Sequence, residues 1–348
     1  MEKELVMSSP TYKYNILCAT DNNYALQCGV MIYSLFYNHV GTSDIVVHII
    51  DDNISDENKN KLRSIACEFR QEICFHDMDN GLLKGLKLQG DTYVSPIVYY
   101  RLFVSRILDE MISRVLYLDC DVMVLKDIAP LFQLNMEGHT IAAVRDVNQP
   151  MWEEQAFQIG FSYHDRYFNS GVILINLDKW RQDNVEERLY VFSCRERKVF
   201  FPDQDALNYV FRDKWLELPP KWNRFNLVRY NQVTFKNKKD FLDYVYCPAI
   251  VHFASKTARP WMRLKFVPFG KKYEEYCSLT PWKKYYKQKV EKRQRYISMV
   301  KYWWVNVLYR SPLLIRIVFV SVFESFLIIY HLLRHHSFRY YKVQTFKE

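Results

Sequence analysis

Three short apolar runs, "YNILCAT" (14–20), "DIVVHII" (44–50) and "EICFH" (72–76), are separated by stretches of helical length, and this alternation restricts the fold more than any other feature. The first two are β-rich apolar runs and the third is of strand length, so each reads as a strand. Between the first two, "NYALQCGVMIYSLFYN" (23–38) reads as a helix; a second helix from about Ser55 to Phe69 places Leu62, Ile65, Ala66 and Phe69 on one face. The pattern is βαβ, and the expected product is an α/β domain built on an open, mostly parallel, Rossmann-like sheet. Further strands are expected at 115–118, 140–145, 171–177 and 249–253. No internal repeat and no low-complexity linker interrupts the pattern.

The segment "RVLYLDCDVMVLKDI" (114–128) asks for chemistry. Val115 to Leu118 form an apolar run, so Asp119 and Asp121 stand where a buried strand surfaces. In extended chain, residues two apart project to the same side, which lets the two carboxylates converge while Cys120 faces away. Carboxylates brought together repel unless positive charge lies between them, and a divalent cation meets that need. Ligands of open parallel sheets collect at the carboxyl ends of the strands. "TDNNY" (20–24), "DCD" (119–121) and His252 in "AIVHF" (249–253) all end expected strands, so they belong on one rim. Two Asp and one His form a mixed oxygen and nitrogen set that suits Mn²⁺ better than Mg²⁺, with Mg²⁺ as the alternative.

Composition bounds what such a site serves. The chain has 348 residues, 49% hydrophobic and 25% charged, enough for a large core plus an appendage. The N-terminus, "MEKELVMSSPTYKYN", carries acids and has no continuous apolar stretch, so no secretory signal is expected there and the protein is expected in the cytoplasm. Eight cysteines, with no Cys-x-x-Cys pair, read as reduced core residues rather than disulfides or a zinc site. Charge is unevenly divided. From Pro281 onward there are 14 Lys and Arg against three acids, a local net of +11; the whole chain carries +9, so the first 280 residues net −2. That division argues against a nucleic-acid groove in the main body.

Six blocks, "ATDNNYA", "YYRL", "VLYLDCDV", "YFNSGVILINLDKW", "PDQDALN" and "IVHFASKTARPW", resemble in order the signatures of glycosyltransferase family 8 over roughly residues 14–265. The resemblance implies a GT-A fold and a retaining hexosyltransferase that uses a UDP-sugar, UDP-glucose or UDP-galactose, as in bacterial lipopolysaccharide synthesis. It implies that Asp119, Asp121 and His252 hold the metal. It further implies that Tyr24 stacks on uracil while Asp21 and Asn23 meet its polar edge and the ribose. Arg101 matches an arginine between the metal carboxylates and the donor sugar; Asn169, Asp203 and Gln204 match residues facing the sugar hydroxyls. The last block departs from the family's usual Gly after the His and Lys before Pro-Trp. Here Ser255, Lys256 and then Arg259 precede Pro260, so either Lys256 or Arg259 is expected on the diphosphate, as a point charge or a bidentate fork.

Each residue also has a plainer role open to it. Asp119 and Asp121 fit a solvated strand end, His252 a core histidine, Tyr24 a helix cap, Asn169 a turn beside Gly171, and Asp203 a helix N-terminal acid. Retention raises the matter of a nucleophile. The family's matching position is an amide, here Gln204, and the placement of Asp203 and Asp205 is open. A front-face reaction is therefore expected, in which the departing phosphate oxygen helps deprotonate the acceptor and Gln204 stabilises positive charge on the sugar. Two other classes are weighed. A metal-dependent nucleotidyltransferase needs a Gly-rich basic loop after the first strand, which "ATDNNYA" lacks. An inactive glycan-binding scaffold is expected to lose metal ligands, and all three are present.

The division expected is a catalytic domain at 1–280 and a membrane-associating segment at 281–348. "KKYYKQKVEKRQRYISMVKYWWVNVLYR" (283–310) mixes basic residues with Tyr and Trp, ahead of the apolar "LLIRIVFVSVFESFLIIYHLL" (313–333). Basic residues attract anionic lipid, and Trp and Tyr settle at its interface. Arg316 and Glu324 interrupt the apolar run, which favours a helix lying on the membrane over one spanning it. The expected location is the cytoplasmic face, with a saccharide or glycolipid acceptor.

Overall fold

The structure is a computed structural model that describes residues 13–41, 44–77, 80–86, 96–136, 138–146, 159–162, 165–194, 201–225, 235–254, 259–263 and 267–284. Lys256 and nearly all of the basic tail, from residue 285 on, lie outside the described residues.

The first half follows the periodicity. Strand β1 (Tyr14–Asp21), helix α1 (Ala25–Tyr37), β2 (Ile45–Asp52), α2 (Asp56–Phe69) and β3 (Glu72–Asp77) occur in that order. In α2 the Ser55 hydroxyl accepts from Asn58 N, Asp56 and Glu57 occupy the first turn where the helix dipole favours acids, and Leu62, Ile65 and Ala66 are buried. In α1 every residue from Ala25 to Phe36 is buried. Strand β1 pairs in parallel with β2, and β2 with β3.

The sheet continues through β4 (Arg114–Leu118), β6 (Ile141–Arg145), β7 (Phe168–Asn176) and β8 (Leu216–Glu217), in the order β3-β2-β1-β4-β7-β6-β8. It is sealed on both faces. Leu116 and Leu118 of β4 enter one core with α1 and α2, while Val115 and Tyr117 enter a second core with Phe103, Phe168 and Trp180. Each such aliphatic side chain contributes about 1.5–3 kcal/mol by its burial.

Two features depart from a single parallel sheet. The large sheet is mostly parallel, as expected, but β7 runs antiparallel to both β4 and β6. Its first residues therefore begin at the rim where β1 and β4 end. A parallel β7 would carry Asn169 to the opposite edge. The strand containing His252 is not in the large sheet. β5 (Val122–Val124), β9 (Arg224–Phe225) and β10 (Ile250–His252) form a separate sheet ordered β5-β10-β9. Val122, immediately after the acidic pair, is the register partner of His252, and Phe253 N donates to Asp121 O at 2.9 Å. The small sheet thus delivers His252 to the end of β4.

Among the described residues all eight cysteines are free, but only Cys18, Cys28, Cys120 and Cys277 are buried. Cys67 and Cys247 are exposed, which corrects their reading as core residues. Among the described residues no helix is long and apolar enough to cross a membrane.

Candidate active site

Asp119 and Asp121 lie in a turn between β4 and β5, with Val122 N donating to Asp119 O at 3.2 Å, rather than in extended chain. They converge all the same, while Cys120 points into the core, its thiol donating to Ala19 O at 3.3 Å. Asp119 and Asp121 side chains keep 22% and 13% of their surface exposed, against 3% for His252, so the cluster opens to solvent on its carboxylate side.

Arg101, in the 3-10 helix Pro96–Phe103, lies against the cluster from within. Its Nη2 is 2.8 Å from Asp119 Oδ1 and its Nε 3.2 Å from Asp203 Oδ2. Its Nη1 donates to Ser170 O at 3.1 Å, and its guanidinium covers the Tyr117 ring at 4.4 Å. Burial disfavours its charge, yet Asp119, Tyr117 and Asp203 together outweigh that and its pKa is raised. A buried arginine holding two carboxylates apart fixes both.

His252 is oriented by a chain of amides. Gly171 N donates to Asn169 Oδ1 at 3.0 Å, so that atom is an acceptor; Asn223 Nδ2 then donates to it at 2.8 Å. The other end of Asn223 is therefore its oxygen, and it stands 3.0 Å from His252 Nδ1. Nδ1 must carry the hydrogen, which turns Nε2 toward Asp121 Oδ1 at 3.1 Å and Asp119 Oδ2 at 3.7 Å. Burial opposes charge on His252, but Asp121 chiefly, with Asp119, raises its pKa. The partner response is unequal. Burial and Asp121 keep the Asp119 pKa raised despite Arg101, whereas at Asp121 burial is outweighed by His252 together with Arg259, and the pKa is lowered.

Gly171 is the floor of this cluster. A Cβ there would stand 2.3 Å from His252 Cε1 and 2.7 Å from Asp119 Oδ2. Next to it, Gln204 Oε1 accepts from Ser170 N at 2.9 Å and from Asn169 Nδ2 at 3.0 Å, and its Nε2 donates to Asp146 Oδ2 at 3.1 Å. Asp203 accepts from the Ser170 hydroxyl besides pairing with Arg101. It also occupies the first turn of the helix Pro202–Val210, so its capping position and its place in the cluster coexist. Asp205 turns elsewhere, accepting from Tyr167 Oη and from Phe201 N.

The third wall is the end of β1. Asp21 Oδ1 accepts from Tyr24 N at 2.8 Å and its Oδ2 from Asn23 Nδ2 at 3.3 Å, closing the turn into α1. Tyr24, half-buried, packs edge-on to Trp261, and its hydroxyl accepts from Arg259 Nη1 at 2.6 Å. Arg259 Nη2 reaches Asp121 Oδ2 at 3.4 Å. Its buried Nε has no hydrogen-bond partner among the described residues. Arg259 thus connects the tyrosine to the carboxylates.

The sequence reading missed Asp146, Ser170, Asn223 and the spatial role of Gly171. Asp146 follows directly on β6 and so ends a strand on the same rim, a signal that was present. Asn223 lies in "PKWN" (220–223) with no local cue.

One oxygen each from Asp119 and Asp121 and one His252 nitrogen lie within 4.8 Å of one another. With Nδ1 committed to Asn223, Nε2 offers its lone pair to the same space, so the donor set fits a divalent cation of the Mn²⁺ or Mg²⁺ kind.

Residues 15–265 match the sequence profile of Glycosyl transferase family 8. The chain is 31% identical over 275 residues to General stress protein A of Bacillus subtilis, covering 77% of this chain and 94% of that protein. It is 29% identical over 276 residues to a lipopolysaccharide 1,2-glucosyltransferase of Escherichia coli, covering 77% and 79%. Among solved structures, the galactosyltransferase LgtC in complex with donor and acceptor sugar analogues superposes with a TM-score of 0.65, at 25% identity, over 79% of this chain and all of LgtC. The mixed α/β architecture is that of the GT-A enzymes.

Proposed function

Because the chain belongs to glycosyl transferase family 8, we propose that it moves glucose or galactose from a UDP-sugar, with retention of configuration, to a saccharide or lipid-linked acceptor of a cell-surface glycan. The observation that carries this reading is the convergence of Asp119, Asp121 and His252, with the histidine tautomer set by Asn223. The glucosyl- and galactosyltransferase names of two relatives, from Escherichia coli and Salmonella typhimurium, support the choice of sugars.

When bound by Asp119, Asp121 and His252, Mn²⁺ supplies positive charge to the diphosphate that departs. Arg259 adds a fork of N–H donors to the same phosphates, and its Nε, without a partner among the described residues, suits that role. Tyr24 stacks on the uracil, with Asp21 and Asn23 at its polar edge and ribose. Arg101, Asp203 and Asn169 face the sugar. Asp203 is already held by Arg101 and Ser170, Asp205 by Tyr167, and Gln204 is an amide with its oxygen engaged. None is presented as a nucleophile, which supports a front-face reaction.

The +11 segment from Pro281 is assigned to a membrane surface on the cytoplasmic side. Its start is fixed on the catalytic body: Trp282 Nε1 donates to Asn58 Oδ1 at 3.1 Å, and its ring covers Gly29 of α1. Asn58 bonds Asn22 of "TDNNY", so the segment leaves beside the proposed base-binding turn. Binding of the full chain to anionic vesicles should weaken as salt rises.

A panel of UDP-sugars, assayed for Mn²⁺-dependent release of UDP with and without saccharide acceptors, tests the function. Turnover of UDP-glucose or UDP-galactose is expected; turnover of neither overturns the reading.

A further inference from the structure

Directly behind the acidic turn, three cysteines from three different elements meet. Cys18 comes from β1, Cys28 from α1 and Cys120 from between Asp119 and Asp121. Their exposures are 0%, 0% and 7%. Cys18 Sγ and Cys28 Sγ are 3.8 Å apart, and all three sulfurs lie within 4.8 Å of one another. A metal ion bonded to three thiolates in a plane at about 2.3 Å holds the sulfurs about 4.0 Å apart. The Cys18–Cys28 separation is close to that figure, and the other two lie inside 4.8 Å.

From this match we propose that Cys18, Cys28 and Cys120 form a second cation site, selective for a thiophilic d¹⁰ ion and distinct from the carboxylate site. Three soft sulfurs and no oxygen ligand favour Zn²⁺, Cd²⁺ or Cu⁺ and disfavour Mn²⁺ and Mg²⁺. On binding, three S–H bonds are exchanged for three metal–sulfur bonds, and the protons leave to solvent. Entry is past Cys120, whose thiol has only to exchange its hydrogen bond to Ala19 O. Cys120 is covalently between the two carboxylate residues, so occupancy behind the turn holds their backbone. The site therefore couples a thiophilic ion to the affinity of the carboxylate cluster in front. The binding itself does not depend on the proposed transferase function; only this coupling does.

Cd²⁺ is the direct probe, added to full-length protein kept reduced by a phosphine, with binding read from sulfur-to-cadmium charge-transfer absorption and from bound cadmium after dialysis. One tightly held Cd²⁺ with that absorption is expected for the wild type and for a Cys67→Ser, Cys247→Ser double variant that removes the exposed thiols. Cys28→Ser should lose the absorption and weaken Cd²⁺ at least tenfold, with Cys18→Ala as the second variant should the first unfold. Absorption that persists in both core variants, or that vanishes with the exposed thiols, overturns the site. Mn²⁺ affinity measured with and without one equivalent of Cd²⁺ reads the coupling separately, and an unchanged value there removes the coupling.

Discussion

Asn223 Oδ1 stands 3.0 Å from His252 Nδ1, and that contact decides which histidine nitrogen faces the carboxylates. Ligand histidines hold their ring through the nitrogen that does not bind metal, and losing such a partner costs about 10–100-fold in metal affinity. Asn223→Ala should therefore keep the fold while Mn²⁺ affinity, followed by paramagnetic resonance of the free ion, drops within that range. Undiminished affinity would show that the amide chain does not set the ligand.

Gly171 answers to space alone, since the clash is with side chains and not with its own backbone conformation. Gly171→Ala should push His252 and Asp119 aside, destabilise the fold by about 1–3 kcal/mol as overpacking does, and lower Mn²⁺ affinity at least tenfold. Urea unfolding and the same resonance titration measure the two effects. Wild-type values for both would mean that the cluster tolerates a floor one methyl higher.

Tyr24 is assigned two contacts that can be separated. Tyr24→Ala should weaken UDP binding by about 1–3 kcal/mol, the range for aromatic stacking on a base. Tyr24→Phe keeps the ring and loses only the hydroxyl that accepts from Arg259, so calorimetry should find it near the wild type. Equal affinity for all three proteins would return Tyr24 to the packing of α1.

A pH effect on stability should come from β2 and β3. His48 Nδ1 is 2.9 Å from His76 Nε2, and burial, then the neighbouring His76, hold the His48 pKa down to about 4 from 6.5. Between those values the unfolded chain binds the extra proton. The contribution is fully present above about pH 6.5 and is lost as pH falls toward about 4. Denaturant midpoints should decline across that window by the equivalent of about 1–3 kcal/mol, and His48→Gln should flatten the decline. An unaltered slope in the variant would place the loss elsewhere.

Periodicity sufficed for β1, α1, β2, α2 and β3, because each element's apolar pattern answers to contacts made nearby in sequence. It could not supply the direction of β7, since "GVILINL" is equally apolar whichever way it runs. That direction, set by pairing with β4 and β6, is what carries Asn169, Ser170 and Gly171 to the rim. The Asp119, Asp121 and His252 set was legible from polar strand ends, although His252 arrives by a different sheet. Asn223 was illegible, its role resting on a neighbour 29 residues away. Cys18, Cys28 and Cys120 are free and buried, as their apolar settings implied, but their mutual approach was illegible, because it depends on α1 packing against β1 and on β1 pairing with β4.

The central claim is that Asp119, Asp121 and His252 hold one cation together with the diphosphate. Calorimetric titration of UDP into wild type and Asp121→Asn, each with and without Mn²⁺, tests it most directly, with thermal unfolding as the control for fold. The account predicts that wild type binds UDP strongly only when Mn²⁺ is present, and that the folded variant loses the Mn²⁺-dependent part. UDP binding by Asp121→Asn that matches the wild type in Mn²⁺, or wild-type binding that is indifferent to the ion, contradicts it.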